Sequence, residues 1–200
     1  MPRARVVAID FSSAMVEDAR RRYPALDVRA GDAQALTDAD ASYDAVVMSF
    51  GLLHLEQPDV ALREAHRVLA LSGTVVAAAI SRYASALDGL SRKVLDPAFL
   101  RIRDQDLVDG QHRNPTNKLD YFTTAYFHRP GDLRDELEEA GFSDVDVMGV
   151  EGVAWMFADF ESRWADEALR QDILNIARAL EAEPSIVGAS AHLLAIGRKL

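Results

Sequence analysis

The fold of this chain is written most plainly in residues 43–80, YDAVVMSFGLLHLEQPDVALREAHRVLALSGTVVAAAI. Residues 43–50 form a nearly continuous apolar run, the pattern of a strand covered on both faces in a parallel sheet. Pro58 suits the first turn of a helix reaching about Leu71, with Val60, Ala61, Ala65, Val68 and Leu69 on its core face. Ser72-Gly73 is a stop signal, and residues 74–80 read as the next strand. Strand, helix and strand in this order make a parallel crossover unit.

Working outward, residues 5–10 read as a short strand ending on Asp10. Ser12 or Ser13 caps a following helix whose apolar face is Met15, Val16 and Ala19, and Tyr23-Pro24 ends it. Residues 26–30 are a second strand, closed by Gly31-Asp32. The first 80 residues therefore read β-α-β-β-α-β, a doubly wound α/β pattern with a mostly parallel sheet. Two short helices are expected over 84–94 and 97–108. The stretch 110–129, GQHRNPTNKLDYFTTAYFHR, is polar and aromatic without a period. It reads as part of an inserted helical cap, 81–128, over one end of the sheet. A helix over 130–140, a strand over 142–150, a helix over 164–182 and a strand over 189–197 follow. They place an antiparallel hairpin at the sheet edge. The expected division is 1–80 core, 81–128 cap and 129–200 remainder of the core.

Composition narrows the function. The 200 residues carry a net charge of −10 and no cysteine. An acidic surface repels phosphate backbones and disfavours nucleic acid as a partner. The dense basic run Arg20-Arg21-Arg22 reads as a solvated helix end complementing the dipole. Without cysteine there are no disulfides or thiolate ligands, in keeping with a reducing cytoplasm. No apolar run approaches a membrane span, no secretory leader is recognisable, and no metal-binding spacing is present.

Three positions at expected strand ends carry the candidate chemistry. A carboxylate at Asp10 can accept both ribose hydroxyls of a nucleotide lying across the strand ends, or simply cap the next helix. Asp32 can accept the exocyclic amine of adenine while the next backbone N–H, that of Ala33, donates to a ring nitrogen; the alternative is a Gly-Asp turn. Phe11 and Met15 lie where an apolar clamp for a purine is needed, or pack in the core. Gly51 permits close backbone approach to a ligand, and His54 follows it at the ligand-binding end of the sheet.

VVAIDFSSAMVEDARRRYP, VRAGDAQAL and the stretch quoted first, in this order and spacing, resemble the small-molecule branch of the class I S-adenosylmethionine-dependent methyltransferases. HRPGDLRDELEEAGFSDVDV and SAHLLAIGR are similar to the last helix and edge strands of that Rossmann-like fold. The resemblance implies S-adenosylmethionine as cofactor, with Asp10 on the ribose, Phe11 and Met15 near the adenine, Asp32 and Ala33 on its edge, and Ser49 and Phe50 near the methionine moiety. The family begins with a strand, a glycine-rich loop and a helix that this sequence does not show. The expectation is a truncated enzyme, missing a central strand between residues 5–10 and 43–50. A rearranged or swapped assembly, such as a homodimer covering the strand edges, and a degenerate non-catalytic subunit are the alternatives.

The expected reaction is methyl transfer to a small-molecule substrate held under the cap. Arg82, Tyr83, Arg113, Tyr121, Tyr126 and His128 are its candidate substrate contacts. His54 and His112 are the candidate general bases, since histidine titrates near neutral pH. A rival is a nicotinamide-dependent oxidoreductase, in which Asp10 would also hold a ribose but a G-x-G-x-x-G loop would be required.

Overall fold

The computed structural model describes residues 4–49, 51–55, 57–116 and 118–200, with Leu53 described by its backbone alone. The strands are β1 (Val7–Asp10), β2 (Asp27–Ala30), β3 (Tyr43–Ser49), β4 (Leu69–Ile80), β5 (Gln111–His112), β6 (Ala125–Tyr126), β7 (Ser143–Gly149) and β8 (His192–Arg198). The helices are α1 (Ser13–Arg22), α2 (Pro58–Val68), α3 (Ala84–Arg92), α4 (Pro97–Asp109), α5 (Pro130–Glu139), α6 (Phe160–Ala165) and α7 (Glu167–Leu180). Pro58, Pro97 and Pro130 each open a helix, where the missing N–H costs nothing.

Four strands form the main sheet in the order β3-β4-β8-β7. β3 and β4 are parallel, and β8 runs antiparallel between β4 and β7. The expected antiparallel pair is therefore present, with β7 at the edge and β8 inside. α2 buries Ala61, Leu62, Ala65 and Val68, and α5 buries Leu133 and Leu137. Ala61, Leu62, Ala65, Leu133 and Leu137 join Val75, Ala77 and Ala79 of β4 and Leu193 and Ala195 of β8 in one core.

α2 stops at Val68 and β4 begins at Leu69, short of the helix end expected near Leu71. Leu69 pairs with Tyr43, and the register shifts between Tyr43 and Ala45. Ser72 takes a positive φ of 64° at this irregularity. The Lys199 ammonium donates to the carbonyls of His66 and Leu69, 2.8 Å each, so a cation satisfies the helix end.

The sheet is divided. β1 and β2 pair in parallel with one another, and among the described residues neither is hydrogen-bonded to the four-stranded sheet. Among the described residues β1 and β3 each have a strand partner on one side only, and Val6, Ile9 and Val47 are exposed. A Cβ at Gly31 would come within 2.8 Å of the Ile9 side chain, so glycine lets the chain leave β2 close against β1. The connecting segment, 31–42, is what ties this unit to the core. Ala33 packs on the main cluster, the Leu36 N–H donates to Glu64 at 2.9 Å, and the Arg67 guanidinium donates to the carbonyls of Leu36 and Asp38 at 2.9 and 2.8 Å. Arg67 also holds the Glu64 carboxyl below the ordinary carboxylate range.

The cap consists of α3, α4 and the β5–β6 ladder, with its own small core of Phe99, Ile102 and Tyr121. Asp96 caps α4, accepting from the N–H groups of Ala98 and Phe99, and also accepts from the Tyr121 hydroxyl.

Candidate active site

Asp10 ends β1 and is exposed; its Oδ1 accepts the Ser12 N–H at 2.7 Å. Phe11, the next residue, is 85% exposed, and Met15 in the first turn of α1 is 57% exposed. Neither side chain is part of the core packing, and the Phe11 ring stands beside the carboxylate at the strand end. Asp32 follows β2 and is half-buried; its Oδ1 accepts from the Gln34 N–H at 2.8 Å and from the Gln34 amide. The turn expected of Gly-Asp is therefore present. Ser49 ends β3, exposed, and a Cβ at Gly51 would meet nothing within 4 Å, leaving open space above the backbone. Phe50 lies outside the described residues. These residues fit a nucleotide cofactor: acids at the ends of two paired parallel strands, with exposed apolar side chains beside the first.

A second feature lies beyond the end of β4. A cavity of about 410 Å³ sits under the cap between Ile80, α3, the 119–127 segment, Trp155 and His192. Its size suits a small organic ligand. Asp88 and Arg92 of α3, 3.2 Å apart, contribute charge. Burial pushes the Asp88 carboxyl up, against the pull of Arg92. The Ser85 hydroxyl is buried in the wall with no hydrogen-bond partner among the described residues.

His112 and Tyr121 line this cavity, but both are committed to the protein. His112 is 1% exposed; its Nδ1 meets Asp106 Oδ2 at 2.9 Å and its Nε2 the Tyr121 carbonyl at 2.6 Å. Both ring nitrogens are engaged by the protein, Nδ1 by Asp106 near the end of α4 and Nε2 by the Tyr121 carbonyl. The Tyr121 hydroxyl is shared by Asp96 and Lys118. The remaining substrate candidates lie outside the cavity walls. Arg82 is buried, donating to the Phe127 carbonyl and the Tyr126 hydroxyl and pairing with Asp132 at 3.1 Å; it fastens the cap to α5. His128 is fully buried with Nε2 on Glu136 at 3.1 Å, edge-on to the Tyr126 ring. Tyr83 packs against Gly188, and Arg113 is an exposed partner of Asp109. His54 is exposed, its Nδ1–H donating to the Thr124 carbonyl at 3.2 Å.

A cluster at the mouth of β8 went unread as a unit in the sequence. Glu151, just past β7, accepts from the Ser190 hydroxyl at 2.8 Å, from the His192 N–H at 3.0 Å and from His192 Nδ1. The signal was available: an acid directly after a strand, as at Asp10, and a histidine opening the last strand. Their separation in sequence concealed the pairing. Among the described residues no group of three or more potential ligands is placed to hold a metal, and no helix is long and apolar enough to cross a membrane.

In sequence and in fold the chain is similar to the class I S-adenosylmethionine-dependent methyltransferases. Residues 1–77 match the family model described as a methyltransferase domain. The chain is 49% identical over 151 residues to a demethylmenaquinone methyltransferase of Renibacterium salmoninarum, covering 74% of this chain and 61% of that protein. It is 30% identical over 151 residues to a ubiquinone/menaquinone biosynthesis C-methyltransferase of Methylobacterium nodulans, covering 72% of this chain and 58% of the relative. The matched stretch thus spans less than two thirds of either relative. The fold is also that of an S-adenosylmethionine-dependent methyltransferase of Mesorhizobium loti, at a TM-score of 0.61 and 19% identity over 96% of this chain and 79% of that one.

Proposed function

We propose that this chain transfers a methyl group from S-adenosylmethionine to a small hydroxylated aromatic acceptor of the quinone-precursor type, at carbon. The exposed carboxylate–aromatic pair Asp10–Phe11 carries the cofactor half of this reading. Asp10 holds the ribose, Phe11 and Met15 cover the purine, and Asp32 with the Ala33 N–H reads its edge. When bound, S-adenosylmethionine supplies an electrophilic methyl group on a sulfonium. The chain's own residues then position the acceptor and exclude water from it. The names of the two relatives support the acceptor class, and the cap cavity has room for a fused aromatic ring.

The open edges of β1 and β3 belong to this reading too: a further strand, from this protein or from a second copy in a homodimer, would pair with both. The cysteine-free, acidic composition suits work in the cytoplasm.

Titration calorimetry with S-adenosylhomocysteine tests the proposal. Binding that weakens about tenfold in Asp10→Asn, the scale of one charged hydrogen bond, supports it. No binding by the protein, or binding indifferent to both Asp10→Asn and Asp32→Asn, overturns it in favour of a non-catalytic subunit.

A further inference from the structure

We infer that α7 roofs a binding site for an uncharged aliphatic chain, separate from the cap cavity. The inference stands on residues 149–190 and does not depend on the methyl-transfer reading.

α7 carries Leu169, Ile173, Ile176, Ala177 and Leu180 at the spacing of one helical face. Such a stripe normally sinks into a core. Among the described residues of α6 and α7, however, none is buried. The helix is held at its ends and at one point between them. Asp166 caps its start, accepting from the Leu169 N–H at 3.0 Å, and the Arg170 guanidinium donates to the Trp164 carbonyl at 3.1 Å. Just past its other end, the Glu181 carbonyl accepts from the Gly149 N–H at 2.8 Å. Between these ties α7 meets the main chain at Gly152, where an added Cβ would lie 3.4 Å from Ala177 and φ is +66°. Around that contact lies a cavity of about 350 Å³, walled by α7, by Ala154 and Phe157, and by Ile186 and Val187. It follows α7 from Leu169 to Leu180, roughly 16 Å of helix, so it suits a chain better than a compact ring.

The polar groups of the wall leave little for a ligand to satisfy. None of the buried side-chain atoms without a hydrogen bond among the described residues lies here. An apolar cavity of this kind favours an apolar guest over water. Glu151 is engaged by the Ser190 hydroxyl and the His192 N–H. Arg163 pairs with Asp159 at 2.8 Å and lies over the Phe157 ring. The other charged residues of the wall, Asp172 and Glu181, are acids. A carboxylate head group therefore meets repulsion here, with the Arg163 cation already neutralised.

The cap cavity is a different space. The two have no wall residue in common: Ala154 lines one and Trp155 the other, Ser190 one and Ala191 the other. Residues 154–155 and 190–191 form the partition, and the Trp155 indole N–H, donating to the Ala189 carbonyl at 3.1 Å, ties its two segments together.

The test uses the full chain with 1-octanol and octanoate, which share a chain length and differ in charge. Calorimetry is expected to show saturable binding of 1-octanol, with octanoate weaker by about tenfold or more. Carbon-13 methyl shifts of Ile173, Ile176 and Leu180 are expected to move with octanol, while those of Ile80 in the cap cavity stay. Ile173→Trp, which fills the space beneath the roof, is expected to abolish octanol binding and leave S-adenosylhomocysteine affinity unchanged. Leu180→Trp fills the other end and serves if the first variant fails to fold; the methyl shifts need no variant at all. Asp172→Asn combined with Glu181→Gln is expected to narrow the gap between octanol and octanoate. Octanol that fails to bind, that leaves the α7 methyls unmoved, or that binds a folded tryptophan variant as well as the parent overturns the inference. Octanoate binding as tightly as octanol overturns it too. The S-adenosylhomocysteine titration is read on the same samples, so failure of this site and failure of the methyl-transfer reading are distinct results.

Discussion

Asp106 Oδ2 and His112 Nδ1 meet at 2.9 Å inside the cap, with both side chains sealed from solvent. The opposite nitrogen, Nε2, must carry a proton because it faces the Tyr121 carbonyl. One further proton is then shared between Nδ1 and the carboxyl, as an ion pair or as a neutral pair. His112→Ala strands both the acid and the carbonyl. A loss of about 3–5 kcal/mol is expected, the scale of breaking a buried pair, measured by urea unfolding. A stable His112→Ala protein that has lost only activity would return this residue to the catalytic list.

Phe11 offers the converse case. Its ring touches little protein, so Phe11→Ser is expected to leave stability within about 0.5 kcal/mol. Affinity for S-adenosylhomocysteine is expected to fall about tenfold, the scale of one base–aromatic stack. Thermal unfolding and calorimetry on the same samples check both halves.

Arg67 binds the 31–42 segment through two backbone carbonyls. Arg67→Ala is expected to speed proteolytic cleavage within that segment while cleavage in β4 and β8 stays slow. Arg67→Lys keeps the charge but not the forked geometry, and is expected to protect only partly. Peptide mapping of a timed digest reads the result.

Two acids on the cap side titrate in opposite directions. Glu151 lies below its ordinary value of 4.5, so the stability it contributes is present above that pH and is lost as pH falls further. Glu151→Gln is expected to flatten the stability profile below pH 4.5. Asp88 is raised above 3.8 by burial, so ionising it costs stability as pH rises from there. Asp88→Asn is expected to raise the melting temperature at neutral pH and leave it unchanged at pH below 3.8.

Much of the architecture was legible because local signals agreed. Continuous apolar runs announced β3 and the second part of β4, and prolines announced the starts of α2, α4 and α5. The start of β4 was not legible: Leu69 continues the helical period of α2, and only its pairing with Tyr43 makes it strand. Asp10 and Phe11 stand exposed at the end of β1, where the sequence put them. The histidines could not be sorted from sequence. Asp106 and His112 are on different elements, and Glu151 and His192 are 41 residues apart. Which partner each imidazole finds is a matter of tertiary contact alone.

The division of the sheet has a consequence for amide exchange. Backbone N–H groups of β1 and β2 are protected by one short ladder, with Val16 and Val28 the buried apolar residues beneath it. Those of β4 are locked between two neighbours over the main core. The two pieces therefore open as separate cooperative units, the first at far lower free energy than the second. A nucleotide seated on Asp10 rests in part on the looser unit, so some of its binding energy goes into ordering that ribbon. Slowed deuterium uptake in β1 and β2, with none in β4, is the imprint such a ligand leaves.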